Sequence, residues 1–344
     1  PRAGPGAQRA GRRPTGALAP RPPSARRPAA PRYNRPVNAA DRKREVAEAA
    51  AGTRLDVFRA AKLELARAQA RRLLARGAVR IGDRKLPESA KGERVERGAT
   101  VAIARFERPE HERAIAEPEA ELPELARGPG WIAVDKPPGM PVHPLAPDET
   151  GCVLNAVIAR HPEIHGVGEG GLRSGVVHRL DVDTSGALLV ATEEAAWQRL
   201  RAAFREHRVA KTYRAVVVGQ LEGDGSIELG FVVARHRPAR VRVVAESERS
   251  RAVRLGSLRW RCLERFDAAT LVEVRPRTGH LHQIRATFEH LGHPVAGDRV
   301  YGPRDSIGAP RQLLHAAEVE YEEIAATSPD PEDFLAACER LRAG

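Results

Sequence analysis

The chain has 344 residues, a formal net charge of +12, 42% hydrophobic residues and three scattered cysteines, Cys152, Cys262 and Cys338. No uninterrupted apolar run approaches the ~20 residues a membrane span needs, and the cysteines have neither metal spacing nor a disulfide framework. A soluble, cytoplasmic protein of two domains is expected, with no membrane partner. The charge is uneven: residues 1–44 carry a net +11, residues 54–105 a net +8 and the remainder a net −7. A basic front on a mildly acidic body implies that the N-terminal part gathers a polyanion while the rest does something else.

Residues 1–47 read as a disordered basic tail, because nine prolines within the first 44 residues break helices and leave little to form a core. Either it tethers RNA through its arginines, or it is a solubilising extension.

Residues 48–106 read as a small α/β module. Leu55, Phe58, Ala61 and Leu65 recur at helical spacing, Ala70, Leu73 and Leu74 continue on a second helix, and Gly77 is placed to cap it. Short strands are expected at Val79–Ile81 and Val101–Ile103, with a turn at Gly82-Asp83. Arg67, Arg71, Arg72 and Arg76 share one side of the second helix with few acids between them, which favours a phosphate-binding face over a merely solvated one. Its Arg54-Leu55-Asp56 opening, basic helix and Gly77-Ala78-Val79-Arg80-Ile81-Gly82 hairpin together resemble the S-four RNA-binding domain.

Residues 107–127, acidic and punctuated by proline, read as a linker to a catalytic domain over 128–325, with 326–344 as a C-terminal extension. Strands are expected at Trp131–Asp135, Gly175–His178, Ala187–Thr192, Thr212–Gly219 and Ala269–Arg275, and a helix over Glu193–His207 with Trp197, Leu200, Ala203 and Phe204 on one face. No Gly-rich fingerprint follows a strand, so no nucleotide cofactor is expected. Strands and helices without regular alternation argue for an α+β fold.

The stretch His178-Arg179-Leu180-Asp181-Val182-Asp183-Thr184-Ser185-Gly186 puts an arginine-flanked carboxylate on a tight loop between two apolar segments. Thr184-Ser185-Gly186 is turn chemistry that would pin Asp181 in one orientation. An isolated aspartate of this kind would most simply be a structural cap. The wider pattern weighs against that. His178-Arg179-Leu180-Asp181 with Thr184-Ser185-Gly186 resembles the signature of the RluA-type pseudouridine synthases. The family's other blocks follow in order: Asp135-Lys136-Pro137-Pro138-Gly139, Lys211-Thr212-Tyr213-Arg214-Ala215, His282-Gln283-Ile284-Arg285, Gly297-Asp298-Arg299-Val300-Tyr301-Gly302 and Arg311-Gln312-Leu313-Leu314-His315.

The resemblance implies a pseudouridine synthase fold, a mixed and largely antiparallel sheet with flanking helices and loops. It also implies an isomerase that needs no cofactor or metal, acts on RNA, ribosomal RNA foremost, and works as a monomer. Asp181 would act at the ribose, either as a nucleophile or by abstracting a sugar proton. Tyr213 would lie under the uracil, and Arg285 would pair with Asp181. Arg179 would fill the space left by the flipped base, and Thr184, His282, Gln283 and Ile284 would complete the substrate site. The chain departs from the family at His280-Leu281, where an Arg and a Thr are usual, which bears on substrate affinity more than on chemistry. The local histidines His280, His282, His290 and His293 lack acidic or cysteine partners at ligand spacing, so a metal is not expected. A non-catalytic RNA-binding protein, a tRNA-directed synthase and a nucleoside hydrolase are the competing readings.

Overall fold

The computed structural model describes residues 42–45, 51–55, 57, 74, 77–103, 112–236, 238–245, 252–303 and 306–343, which fall into two compact units, 1–106 and 107–344. In the first unit β1 (Arg42–Glu45), β2 (Val79–Ile81), β3 (Arg84–Lys85) and β4 (Thr100–Ile103) form an antiparallel sheet in the order β1-β4-β2-β3. Leu55, Leu74, Val79, Leu86, Val95 and Val101 are buried together against it. Strand β1 lies within the stretch whose composition reads as tail; it pairs with β4 in register Arg42 to Ile103.

The second unit is built on one large sheet. Its strands are β5 (Glu124–Gly128), β6 (Trp131–Lys136), β7 (Ser185–Ala191), β8 (Ala210–Val218), β9 (Gly225–His236), β10 (Ala239–Val244), β11 (Arg254–Arg265), β12 (Ala269–Pro276), β13 (Leu314–Tyr321) and β14 (Ile324–Thr327). Their order is β10-β9-β11-β12-β8-β13-β7-β6-β5, with β14 paired to β13. Among the described strands only the β13–β7 pair is parallel; the rest is antiparallel, as local hairpins dictate. Four helices flank it: α1 (Val153–Arg160), α2 (Glu194–Arg205), α3 (Gln283–His290) and α4 (Glu332–Ala343). Strand β7 is buried at every position, which explains its unbroken apolar run. Helix α3 buries Ile284 and Phe288 against Ala215, Val217, Leu258, Val272 and Val274, while α4 buries Phe334, Ala337 and Cys338 against Val216, Ala269 and Leu313.

Three expectations change. Gly175–His178 is not a strand: Gly175 has φ +70° and only Val176 makes a bridge, to Val190. The described part of the expected linker packs on the domain, with Ala114 and Leu122 in its core and the Ile115 carbonyl accepting from Asn155 Nδ2 at 2.7 Å. Residues 326–344 are likewise integral. Strand β14 ends there, Ser328 Oγ donates to Asp135 Oδ1 at 2.8 Å, and α4 closes one face of the sheet.

Candidate active site

Asp181 sits on the loop that delivers the chain into β7, and that loop is held from several directions. The Thr184 N–H donates to the Asp181 carbonyl at 3.1 Å, closing a turn. Lys136, at the end of β6 and fully buried, donates to the carbonyls of Pro137, Met140 and Val182 at 2.9, 2.8 and 2.8 Å. These three acceptors match the three protons of an ammonium. Burial pulls the Lys136 pKa down to about 7; Asp183 opposes this, Arg311 adds to it, and Asp181 opposes it. The Gly139 N–H also donates to Val182 O, at 2.9 Å.

From the other side Arg311 donates to Asp183 O at 3.0 Å and to Ser185 Oγ at 3.3 Å. Gln312 Nε2 donates to Thr184 Oγ1 at 2.8 Å, and His315 Nδ1 lies 3.0 Å from Ser185 Oγ. Arg311 is itself oriented by a two-point ion pair to Asp333 of α4, at 2.7 and 2.8 Å. Gly186 has φ +116°, and a Cβ there would collide with the Ala316 carbonyl across the parallel β7–β13 pair. Only glycine fits that approach.

The carboxylate meets its counter-charge on α3. Arg285 Nη1 donates to Asp181 Oδ2 at 2.8 Å, while Nε and Nη2 clasp Asp298 at 2.6 and 2.9 Å. Asp298 is fully buried, and its Oδ1 also accepts the N–H groups of Val300 and Tyr301 at 2.9 and 3.1 Å. One guanidinium thus joins two carboxylates through its rigid fork. Burial by itself would weaken the Arg285 cation, but Asp298 and then Asp181 outweigh it and its pKa is raised.

His282 caps α3 from a left-handed conformation, φ 52°, with Nε2 3.8 Å from Asp181 Oδ2 and Nδ1 3.1 Å from Tyr301 Oη. Burial lowers its pKa, with Asp181 opposing. Tyr301 accepts the Val241 N–H at 2.7 Å and presents its ring to Arg285, 5.2 Å from guanidinium carbon to centroid. Tyr213, on β8 opposite Val274 and Ala316, has its pKa raised by burial and then by the Asp181 charge, so the phenol keeps its proton.

Asp181, Tyr213, Arg285 and His282 are therefore brought together. Arg179 is exposed on the same loop. Thr184 is buried and bound to Gln312; Gln283 accepts from Thr278 Oγ1 and the His280 N–H at 2.8 and 3.0 Å and donates to Ser257 O at 3.2 Å. Ile284 belongs to the apolar core. The contacts seen for these three lie within the protein. Arg67, Arg71, Arg72 and Arg76 lie outside the described residues. Sequence reasoning assigned no part to Lys136, Asp298, Tyr301, Arg311, Gln312 and His315, although all stand in the ordered motif blocks; Asp333 carries no such signal.

The arrangement presents a partly exposed carboxylate (23%), a fixed cation and a protonated phenol. Asp298 has both oxygens engaged by Arg285 and no exposure, so it cannot activate water as a second carboxylate.

The family model described as RNA pseudouridylate synthase matches residues 130–290. The chain is 36% identical over 223 residues to the ribosomal large subunit pseudouridine synthase D of Pseudomonas aeruginosa, covering 59% of this chain and 67% of that one. It is 40% identical over 184 residues to an uncharacterized RNA pseudouridine synthase of Chloroflexus aurantiacus, covering 53% and 56%. The matched segment thus spans just over half to two thirds of these relatives' lengths. Human RNA pseudouridylate synthase domain containing 1 shares the fold, with a TM-score of 0.52 at 24% identity over 65% of this chain and 96% of that one. With Asp181 held by Arg285 and its charge felt by Tyr213 on that fold, the chain belongs to the RNA pseudouridine synthase family.

Proposed function

We propose that the protein isomerises uridine to pseudouridine in RNA, with large-subunit ribosomal RNA as its substrate. The observation that carries this reading is the Arg285 fork, which holds Asp181 at 2.8 Å while leaving it partly exposed, its charge reaching the Tyr213 phenol. In the reaction the bond from the ribose anomeric carbon to uracil N1 breaks, the base turns, and a bond from the same carbon to C5 forms. The proton lost from C5 is balanced by one gained at N1, so no redox group is called for. Asp181 acts at the sugar, as nucleophile or as base toward a ribose proton. Tyr213, kept protonated by burial, supports the base and can relay a proton. Arg179, exposed two residues before Asp181, enters the stack that the flipped uridine leaves.

The ribosomal target rests on the Pseudomonas relative and others named for the large subunit. The N-terminal unit, through its S-four-like hairpin and basic composition, gathers the RNA. The test is incubation of the purified protein with unmodified 23S ribosomal RNA: pseudouridine should form, and Asp181→Asn should bind the RNA yet form none. Wild-type protein inactive on both total ribosomal and transfer RNA would refute the reading.

A further inference from the structure

The two oxygens of Asp181 are treated differently. Arg285 Nη1 donates to Oδ2 at 2.8 Å, and His282 Nε2 stands 3.8 Å from the same oxygen, at the cap of the helix that carries Arg285. Among the described residues no hydrogen bond reaches Oδ1. Oδ2 is thus held from the protein side, and Oδ1 is left for the sugar. The His282 side chain is 10% exposed and the Asp181 side chain 23%, so both border the space a ribose would enter.

The orientation of His282 is fixed from behind. Its Nδ1 lies 3.1 Å from Tyr301 Oη, and the two rings meet edge to face at 89° with centroids 5.6 Å apart. Tyr301 Oη accepts the Val241 N–H at 2.7 Å, and among the described residues His282 Nδ1 is its one other hydrogen-bond partner. A backbone N–H only donates, so the phenol proton goes to Nδ1, and a neutral imidazole carries its own proton on Nε2, toward the carboxylate. Burial lowers the His282 pKa; Asp181 opposes this, Arg285 adds to it and Asp298 opposes it, which leaves the ring neutral at pH 7. His282 also holds φ 52°, a conformation that a side chain keeps only where its surroundings enforce it.

A gap of 3.8 Å is too long for a hydrogen bond between Nε2 and Oδ2. It is the span that one hydroxyl closes when it accepts from Nε2 and donates to Oδ2, each at about 2.8 Å. Hydrogen bonds of an active site are often completed only when substrate arrives. Asp181 acts at the anomeric carbon or on a ribose proton, and the 2′-hydroxyl stands on the carbon next to the anomeric one. That hydroxyl is donor and acceptor at once, which matches the fixed donor on one side and the fixed acceptor on the other.

We propose that His282 is a specificity-determining residue that, together with Asp181 Oδ2, grips the 2′-hydroxyl of the target ribose and so selects ribouridine over deoxyuridine. The proposal rests on the reading of the protein as an RNA pseudouridine synthase. The contact transfers no atom. It holds the sugar so that Oδ1 meets the carbon or the proton on which it acts, and Tyr301 is the positioning residue behind it.

The test uses the full chain and transcripts of large-subunit ribosomal RNA. The uridine that the wild type converts is located first, then kept as ribouridine or replaced by 2′-deoxyuridine through splinted ligation. His282→Asn accepts the left-handed backbone and keeps an amide near Tyr301, but has no N–H at the Nε2 position. On ribouridine its kcat/KM should fall roughly thirtyfold, as for one lost hydrogen bond at a charged group. On deoxyuridine the wild type should be slow and His282→Asn no slower, because both changes remove the same contact and their losses do not add. Tyr301→Phe leaves His282 in place but frees its tautomer, and should shrink the deoxyuridine penalty severalfold; it carries the test if His282→Asn does not fold. Additive losses would overturn the proposal, as would a wild type that converts deoxyuridine as fast as ribouridine. A wild type that forms no pseudouridine in ribosomal or transfer RNA would retire the isomerase reading and this inference with it. An active wild type with additive losses would retire the role of His282 alone.

Discussion

The Asp181 loop and the groove over the first residues of β8 and β9, the middle of β11 and the end of β12 are held in opposite ways. The loop is over-determined: Lys136 and Gly139 share the Val182 carbonyl, and Arg311, Gln312, His315 and Arg285 hold further atoms of it or of its exit into β7. On the groove's walls Arg259 and Arg277 are exposed and, among the described residues, have no carboxylate partner. On the proposed reaction, a carboxylate that meets one sugar carbon needs a fixed orientation before substrate arrives, because small misplacements are costly in rate.

That contrast predicts different consequences for substitutions in the two regions. The largest effect should come from Asp298→Ala, which strips Arg285 of its buried partner and leaves the cation half-compensated. Such a loss costs about 3–5 kcal/mol, read as a fall in Tm of roughly 2–4 °C per kcal/mol. Unchanged thermal unfolding would show that Asp181 alone suffices to hold Arg285.

Lys136→Met keeps the length of the side chain and removes its three hydrogen bonds to the loop. Turnover should fall about tenfold or more, since the Val182 carbonyl loses its strongest donor, while KM for RNA stays near that of the wild type. A change confined to KM would move Lys136 from the clasp to the substrate side.

His178 offers a pH test of the same clasped region. Its Nε2 accepts the Leu189 N–H at 2.9 Å, its ring stacks on Phe204, and burial, reinforced by Lys211 and Arg201, lowers its pKa to about 3. The unfolded chain therefore binds a proton that the folded one refuses between pH 6.5 and about 3, and stability falls as the pH falls through that window. The slope from this one group is at most ~1.4 kcal/mol per pH unit. His178→Gln, which keeps an acceptor for Leu189, should flatten the acid limb of denaturant unfolding; an identical limb would mean other groups control it. The smallest effect is expected from Arg277→Ala, within about 0.5 kcal/mol in stability. A larger loss would make the groove a structural element rather than an open surface.

Much of the site was legible in the sequence because its chemistry lies in short contiguous blocks. Asp181, Tyr213 and Arg285 converge although 104 residues separate the first from the last. The central strand β7 was legible as well, since burial on both faces leaves an unbroken apolar run. What escaped has physical reasons. Strands β9 to β11 alternate apolar residues with arginines and glutamates on a solvated edge of the sheet, so their periodicity is faint. Gly175–His178 has strand-like residues but must turn to reach the Asp181 loop. Asp333 matters through a single ion pair to Arg311, which no local pattern marks.

That ion pair bears on when the site comes into being. Arg311 reaches a loop carbonyl 128 positions earlier in the chain, and Asp333 on α4 orients Arg311 in turn. Contacts so distant in sequence close late, because the intervening chain must be ordered before they reward it. The Asp181 loop should thus be among the last parts of the domain to become rigid and among the first to loosen when α4 frays. Slow hydrogen exchange at the Thr184 amide would then report a domain folded through to its final helix, and fast exchange a domain with its sheet intact and its carboxylate adrift.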